Sequence, residues 1–305
     1  MKDDFAAAYL RLHLSGELAE RARRALEHLK HCSLCARCCH VNRLLPSRQS
    51  RCGTGENAVV YSFGPHHGEE RPISGRKGSG TIFFSHCSLQ CVFCQNWEIS
   101  QKGQGKEISQ EELACMMLAL QERGCHNINL VTPSHVVPQI LAALEIAAGK
   151  GLRLPLVYNT SSYDSQEALA LLDGVVDIYL PDFKFADSGR ASRYLNVEDY
   201  AEVCRAAIKE MHRQVGDLAL NGTGIAKRGL LIRHLVLPDN LADTDRILDF
   251  LVREISPATW LNLMDQYRPC YLADRYPPLD RRPTPEEFEL FRRMARIIGL
   301  TRVFT

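Results

Sequence analysis

Three cysteines set the chemical question this sequence poses. They stand in His86-Cys87-Ser88-Leu89-Gln90-Cys91-Val92-Phe93-Cys94, a Cys-x3-Cys-x2-Cys spacing. Three thiolates on one short loop can each take one iron of a cubane 4Fe–4S cluster, which leaves the fourth iron without a protein ligand. The amino and carboxylate groups of S-adenosylmethionine (SAM) can chelate that open iron. An electron from the reduced cluster can then break a carbon–sulfur bond and generate a 5′-deoxyadenosyl radical. The cofactors carry such chemistry, and the protein supplies orientation and exclusion. The plainer reading is a zinc site, but structural zinc asks for four protein ligands and this loop offers three.

A second group precedes the first. Cys32, Cys35, Cys39 and Cys52 are spaced Cys-x2-Cys-x3-Cys-x12-Cys, with Cys38 as an extra thiol directly before Cys39. Four thiolates at these spacings could close around zinc or a second 4Fe–4S cluster, and thiolate-only ligation does not choose between them. The neighbouring iron–sulfur motif favours the cluster. A structural staple is the plain role; an electron relay or a substrate-binding element is the sharper one. Cys115, Cys125, Cys204 and Cys270 are scattered and read as small apolar side chains. Twelve cysteines, mostly clustered, point to metal chemistry in a reducing compartment rather than to disulfides.

The elements that must hold these groups follow from periodicity. From residue 81 onward strand and helix alternate. The pattern predicts strands at 81–85, 127–132, 154–159, 176–180, 230–237 and 260–264, with a short last strand at 301–304. Helices are expected at about 109–123, 135–149, 165–172, 198–215, 243–255 and 285–299. Six βα units in series imply a parallel sheet with helices outside, and are too few for a closed eight-stranded barrel. The expected fold class is therefore α/β, a partial (β/α)6 TIM-type barrel over residues 81–305. Residues 1–80 form a cysteine-rich N-terminal extension, with a helix over 4–30 and a metal-stapled irregular stretch over 31–80.

Polar residues gather where the strands end: Cys87, then Thr132, Ser134 and His135, then Asn159, Thr160 and Ser161, then Asp182 and Lys184. Arg233 and His234 lie in the fifth strand, and Asp265, Gln266 and Tyr267 follow the sixth. In parallel α/β folds ligands bind at the carboxyl ends of strands. Ile178, Leu180, Asp182 and Lys184 share one face at period two, apolar below and charged above. His67 and Glu69, in the Gly-rich 63–70 stretch, could reach the barrel mouth, although histidines in such turns are more often solvated. The loop Asn221-Gly222-Thr223-Gly224, placed near the sheet top, is a weak phosphate cradle because it lacks a Walker pattern.

Residues 81–270 resemble the radical SAM superfamily, in the branch similar to pyruvate formate-lyase activating enzyme. The whole chain resembles an uncharacterised iron–sulfur subfamily of that branch. The matching stretches are GSGTIFFS (78–85), CSLQCVFCQNW (87–97), LVTPSH (130–135), DIYLPDFK (177–184) and NLMDQYRP (262–269), with CSLCARCCHVNR (32–43) as the subfamily's own segment. The resemblance implies that Phe93 packs on the adenine. Thr132-Pro133-Ser134 stands where the superfamily often has Gly-Gly-Glu for the methionyl amine. That contact would fall to backbone carbonyls or to the Thr132 and Ser134 hydroxyls. Asn159 and Thr160 match a position that meets SAM or a monovalent cation in related activases. Asp182 and Lys184 match an Asp-x-Lys pair near SAM, and Arg233 is a candidate for the methionyl carboxylate. His234, on the opposite strand face, is structural.

The activity so implied is hydrogen-atom abstraction started by reductive SAM cleavage, fed by an electron donor such as flavodoxin or ferredoxin. Activation of a glycyl radical enzyme is the family analogy, with another small-molecule or nucleic-acid substrate as the alternative. A non-catalytic iron–sulfur sensor is the reading of a different class, and it would not need the strand-end polar set. A net charge of +1, from 37 basic and 36 acidic residues, implies no polyanionic partner. Hydrophobic residues, 45% of the chain, suffice for a large core. No apolar run approaches the roughly 20 residues a membrane helix needs. Residues Met1 to Leu14 carry two Asp and no signal-peptide core, so a cytoplasmic setting is expected.

Overall fold

Apolar residues spaced by three and four build the first two helices, Tyr9–Leu14 (α1) and Glu17–Glu27 (α2). The computed structural model describes residues 5–45 and 50–304. The start of the helix expected at 4–30, and of the Met1–Leu14 stretch, lies outside the described residues. That helix is interrupted at Gly16, whose φ of +79° is left-handed and suits glycine.

The chain then runs through β1 (Ala58–His66), α3 (Arg71–Ser74), β2 (Ser79–Phe84), α4 (Trp97–Ser100), β3 (Lys106–Ile108) and α5 (Gln110–Glu122). Next come β4 (Ile128–Val131), α6 (Val137–Gly149), β5 (Leu156–Thr160), α7 (Gln166–Leu172), β6 (Ile178–Pro181), α8 (Ser188–Leu195) and α9 (Tyr200–Val215). The series ends with β7 (Ala219–Leu220), β8 (Ala226–Leu235), α10 (Thr244–Phe250), β9 (Trp260–Met264), α11 (Pro285–Ile297) and β10 (Arg302–Phe304). No described helix is long and apolar enough to cross a membrane.

The sheet order is β10-β9-β8-β6-β5-β4-β2-β1-β3, with β7 paired to β8. From β2 to β10 along this order every neighbouring pair is parallel, whereas β1 and β3 join antiparallel. The sheet does not close. The fold is α/β, a partial (β/α)6 TIM-type barrel with a cysteine-rich N-terminal segment.

Period two divides each strand between two cores. Ile82, Phe84, Leu130, Tyr158 and Tyr179 pack outward into the large core shared with the helices. Val157, Ile178, Leu180 and Leu231 face inward, where Ile73 from α3 joins them. The segment between β1 and β2 thus plugs the amino-terminal end of the barrel. This corrects the expectation for residues 31–80, which supply a nine-residue strand as well as irregular chain. It also blurs the expected boundary at residue 80, because β1 shares the sheet with β2 and Ala7–Ala25 share the outer core. The strand escaped the sequence pattern because Gly64 and Pro65 interrupt it. Pro65 is tolerated because β3 pairs only with Ala58–Val60 and leaves the rest of β1 as an edge.

Candidate active site

The cysteine loop leaves the carboxyl end of β2. It is held by backbone bonds from Gln90 N to Leu195 O (3.2 Å), Val92 N to Tyr194 O (2.9 Å) and Leu272 N to Val92 O (2.9 Å). Cys94 N donates to Cys91 O at 3.2 Å, and Leu89 N points at Cys87 Sγ at 3.4 Å. Cys91 is buried, and Cys87 and Cys94 are half-buried. Burial pushes the Cys87 thiol up to about 11 and the Cys91 thiol higher, with the neighbouring thiols adding to the rise. Binding a cationic centre would offset that cost and drive deprotonation. Among the described residues no three His, Cys, Asp or Glu side chains are arranged around a single metal ion. A cubane cluster asks for a different arrangement, in which neighbouring thiolates take separate irons. The donor set here, three thiols on one loop within electrostatic reach of one another, fits it.

Lys184 and Asp182 stand at the carboxyl end of β6, above Ile178 and Leu180. Lys184 Nζ donates to Asp182 Oδ2 at 2.6 Å, with side chains only 22% and 27% exposed. Burial disfavours the Lys184 ammonium, but Asp182 and the Cys91 thiol outweigh it and hold its pKa above the ordinary value. The pair therefore faces the cysteine loop, as the period-two register requires.

The other candidates separate into three groups. Asn159 belongs to the inner side. Asn159 follows Val157 at period two, and its carbonyl accepts from Thr132 N at 2.9 Å. Thr132 adopts φ of +62°, rare for a β-branched residue and costing about 1–3 kcal/mol. Ser134 and Thr160 point the other way. Their hydroxyls share a 3.0 Å bond, and Thr160 Oγ1 donates to buried Asp164 at 2.6 Å, beside the Tyr158 hydroxyl on the same carboxylate. Their side chains are committed to this buried network behind the sheet. Phe93 packs into an aromatic wall, with Phe185 and Tyr267 at centroid distances of 6.2 and 6.1 Å.

Arg233 is already paired with two carboxylates through Nε and Nη2. Its Nε and Nη2 both donate to Glu70 at 2.6 Å, and Nη2 also bonds Glu69. Asn262 Nδ2 donates to Glu70 at 2.7 Å, and Asn129 Nδ2 donates to Glu69 at 3.2 Å. Burial opposes the Glu70 carboxylate, yet Arg233 and Asn262 hold its pKa below the ordinary value. Glu69 therefore enters the barrel, but from the plugged end rather than the mouth, while His67 is exposed. Glu70, Asn129 and Asn262 were not legible as site residues. Only the pairing of β8 with β9, which sets Arg233 beside Asn262, brings them together. His234 turns to the other face, where Nδ1 meets Phe183 O at 2.6 Å and Nε2 meets Thr244 Oγ1 at 2.9 Å. The Asn221–Gly224 turn lies at the amino end of β8, closed by Asn221 Oδ1 accepting from Thr223 N and Ile225 N, and so sits away from the sheet top.

The interior combines three carboxylates (Glu69, Glu70, Asp182) with two cations (Lys184, Arg233). Buried Asn129 Oδ1, Trp260 Nε1 and Ser88 Oγ have no partner among the described residues. Orphaned polar atoms of this kind call for a ligand or water. Several of the described non-glycine residues with left-handed backbone, His86, Thr132, Ser162 and Asp239, follow strand carboxyl ends, whereas Asn196 and Asp243 cap helices. Such strain gathers at working sites.

Residues 81–251 match the family model of the radical SAM superfamily, and the chain belongs to that superfamily. It is 34% identical over 274 residues to the uncharacterized protein MJ0674 of Methanocaldococcus jannaschii, covering 87% of this chain and 74% of that one. Among solved structures it is similar to a radical SAM methyltransferase from Sphaerobacter thermophilus, with TM-score 0.47 and 15% identity over 73% of this chain and 65% of that one. It is also similar to Streptococcus suis SuiB bound to the precursor peptide SuiA, with TM-score 0.46 and 10% identity over 72% and 46% of the two chains. The chain thus spans less than two thirds of either solved chain.

Proposed function

We propose that this protein is a radical SAM enzyme that cleaves S-adenosylmethionine reductively at a 4Fe–4S cluster bound by Cys87, Cys91 and Cys94. The observation that carries the reading is the Asp182–Lys184 pair, half-buried at a strand end and directed at the cysteine loop. Held by the three loop thiolates, a cluster would supply the electron for reductive cleavage of the SAM carbon–sulfur bond and so the start of hydrogen abstraction. The protein's part is to bind and orient. Lys184, held by Asp182, offers a donor to the methionyl carboxylate, and Asp182 can accept from a ribose hydroxyl. Asn159 offers a polar contact on the same side, and the Thr132 backbone, bonded to the Asn159 carbonyl, ties the neighbouring strand end to it. The aromatic wall around Phe93 offers the adenine an apolar face. Ser134 and Thr160 contribute through Asp164, by fixing the strand ends. With three carboxylates against two cations, the interior complements the positive charge of SAM.

By its resemblance, the protein would belong to a branch similar to pyruvate formate-lyase activating enzyme, act on a glycyl radical enzyme, take electrons from flavodoxin or ferredoxin and hold a monovalent cation near Asn159; the clustered cysteines suit a cytoplasmic, reducing setting. The test is anaerobic incubation of the reconstituted protein with SAM and dithionite. The expected products are methionine and 5′-deoxyadenosine, absent in Cys91→Ala. SAM binding without any cleavage by the wild type would favour a non-catalytic iron–sulfur module instead. Deuterium transfer into 5′-deoxyadenosine from a glycine-labelled candidate partner tests the substrate.

A further inference from the structure

The four N-terminal cysteines carry the proposal, because the fold presses their segment against the loop of Cys87–Cys94. Arg37, between Cys35 and Cys39, donates from Nε to Ser88 O at 2.8 Å and from Nη1 to Asn196 O at 2.6 Å. Gly53, next to Cys52, lies so close to His86 that a Cβ there would meet the imidazole Nδ1 at 3.1 Å. Arg43 donates to His135 O at 2.7 Å, and His135 Nε2 donates to Ser85 O at 2.9 Å, two residues before Cys87. Both ends of the segment thus abut the residues that flank Cys87.

The thiols of this segment are also prepared as a group. Cys32, Cys35 and Cys52 are buried and unbridged, Cys39 is half-buried, and Cys38 is exposed. Cys32 and Cys39 share a small apolar cluster with Leu29 and Leu34. The segment closes on itself through Cys32 N to Val41 O (3.0 Å), His40 N to Cys32 O (2.9 Å) and Cys38 N to Cys35 O (3.0 Å). Cys38 and His40, on either side of Cys39, have left-handed φ of +39° and +54°. A backbone bent this way twice around one half-buried thiol is strain of the kind that ligand positions hold. Arg43, itself buried, places Nη1 3.8 Å from Cys32 Sγ and offers positive charge to a thiolate centre.

Building on the function proposed above, we infer that Cys32, Cys35, Cys39 and Cys52 hold a second 4Fe–4S cluster, and that this cluster passes electrons to the one on Cys87, Cys91 and Cys94 across the Arg37–Ser88 and Gly53–His86 contacts. One electron from a protein donor of flavodoxin type reduces the second cluster from the 2+ to the 1+ state. That cluster returns to 2+ as it reduces the first from 2+ to 1+, and the electron leaves with the cleaved SAM. Four thiolates complete the second cluster, so SAM has no iron to chelate there and the centre is left with electron transfer.

Metal analysis and electron paramagnetic resonance of the anaerobically reconstituted protein test this. Wild type should hold about eight irons, and both Cys35→Ser/Cys52→Ser and the triple variant Cys87→Ser/Cys91→Ser/Cys94→Ser about four each. Dithionite-reduced wild type should show two magnetically interacting signals, and each variant one unsplit signal. Photoreduced flavodoxin should reduce the first cluster in wild type and fail to do so in Cys35→Ser/Cys52→Ser, while dithionite still reduces it. Zinc lost with the N-terminal pair, wild-type iron in the Cys35→Ser/Cys52→Ser variant, non-interacting clusters, or equal reduction by flavodoxin would each overturn the inference. Wild-type iron retained in the triple variant would instead overturn the reading of the first site. The wild-type spectrum decides even where a variant does not fold.

Discussion

Cys87, Cys91 and Cys94 ride on a loop that leaves a parallel strand, whereas Cys32, Cys35, Cys39 and Cys52 lie on a segment with little regular structure. The first loop is fastened by backbone bonds to the end of α8 and to the chain after β9. On its open side it meets the charged pair Asp182 and Lys184 and a barrel interior with orphaned polar atoms. In the second group Cys32 and Cys39 pack with Leu29, Leu34 and Val41, and the buried Arg43 lies beside Cys32. On the proposed reading, three ligands beside a polar interior leave room for a reagent, and four ligands at the second site leave none. Ligand count and the polarity of the free side would then, more than cysteine spacing, separate a reacting centre from a relaying one.

The most damaging single substitution is Cys91→Ala. On the proposed reading it removes SAM cleavage altogether and about four irons, because a lost ligand dismantles the cubane rather than tuning it. Metal analysis together with 5′-deoxyadenosine detection checks it, and full cleavage by the variant would end the argument.

Next in size is the floor of the interior. Glu70→Ala leaves the buried Arg233 guanidinium with Glu69 alone and frees Asn262, and should cost somewhat less than the about 3–5 kcal/mol typical of removing the sole partner of a buried ion pair. Glu70→Gln, which keeps an acceptor, should cost less. Chemical denaturation of the two variants measures the difference; equal stability would mean that Arg233 finds another partner.

Lys184→Ala should leave the cluster's absorption spectrum unchanged and weaken SAM binding by roughly 10- to 100-fold, the effect of losing one hydrogen bond to a charged group. Isothermal titration against reconstituted protein measures it. An unchanged affinity would move the carboxylate contact elsewhere.

Two buried histidines set a pH dependence. Burial lowers His135 to about 3 and His234 to about 4. Both folded values lie below the unfolded value of about 6.5, so between them the unfolded chain binds more protons. Stability is therefore fully present above pH about 6.5 and declines as pH falls toward 4. Thermal melts across that range should show the decline, and His234→Gln should flatten it. A melt insensitive to pH over this window would contradict the neutral assignment. Smallest of all is Cys38→Ser, where an exposed thiol outside the ligand set should change neither iron content nor melting temperature.

The cysteine spacings, the six βα units and the face shared by Ile178, Leu180, Asp182 and Lys184 could be read from the chain alone, because each is a local pattern. Cluster ligands sit a few residues apart, strand faces repeat every two residues, and helix faces every three to four. Ser134, Thr160 and Arg233 were legible as polar residues near strand ends, but their partners were not. Asp164, Glu69 and Glu70 meet those groups in space, and a hydroxyl or guanidinium donating to a buried carboxylate has fewer donors left for a ligand. The plug of the barrel, the strand at Ala58–His66 and the docking of Arg37 on Ser88 depend on contacts between residues far apart in sequence. The sequence alone determined which residues can do chemistry and on which element each sits. The tertiary structure decided which of them face one another, because burial and hydrogen-bond competition between distant segments leave no mark on local spacing.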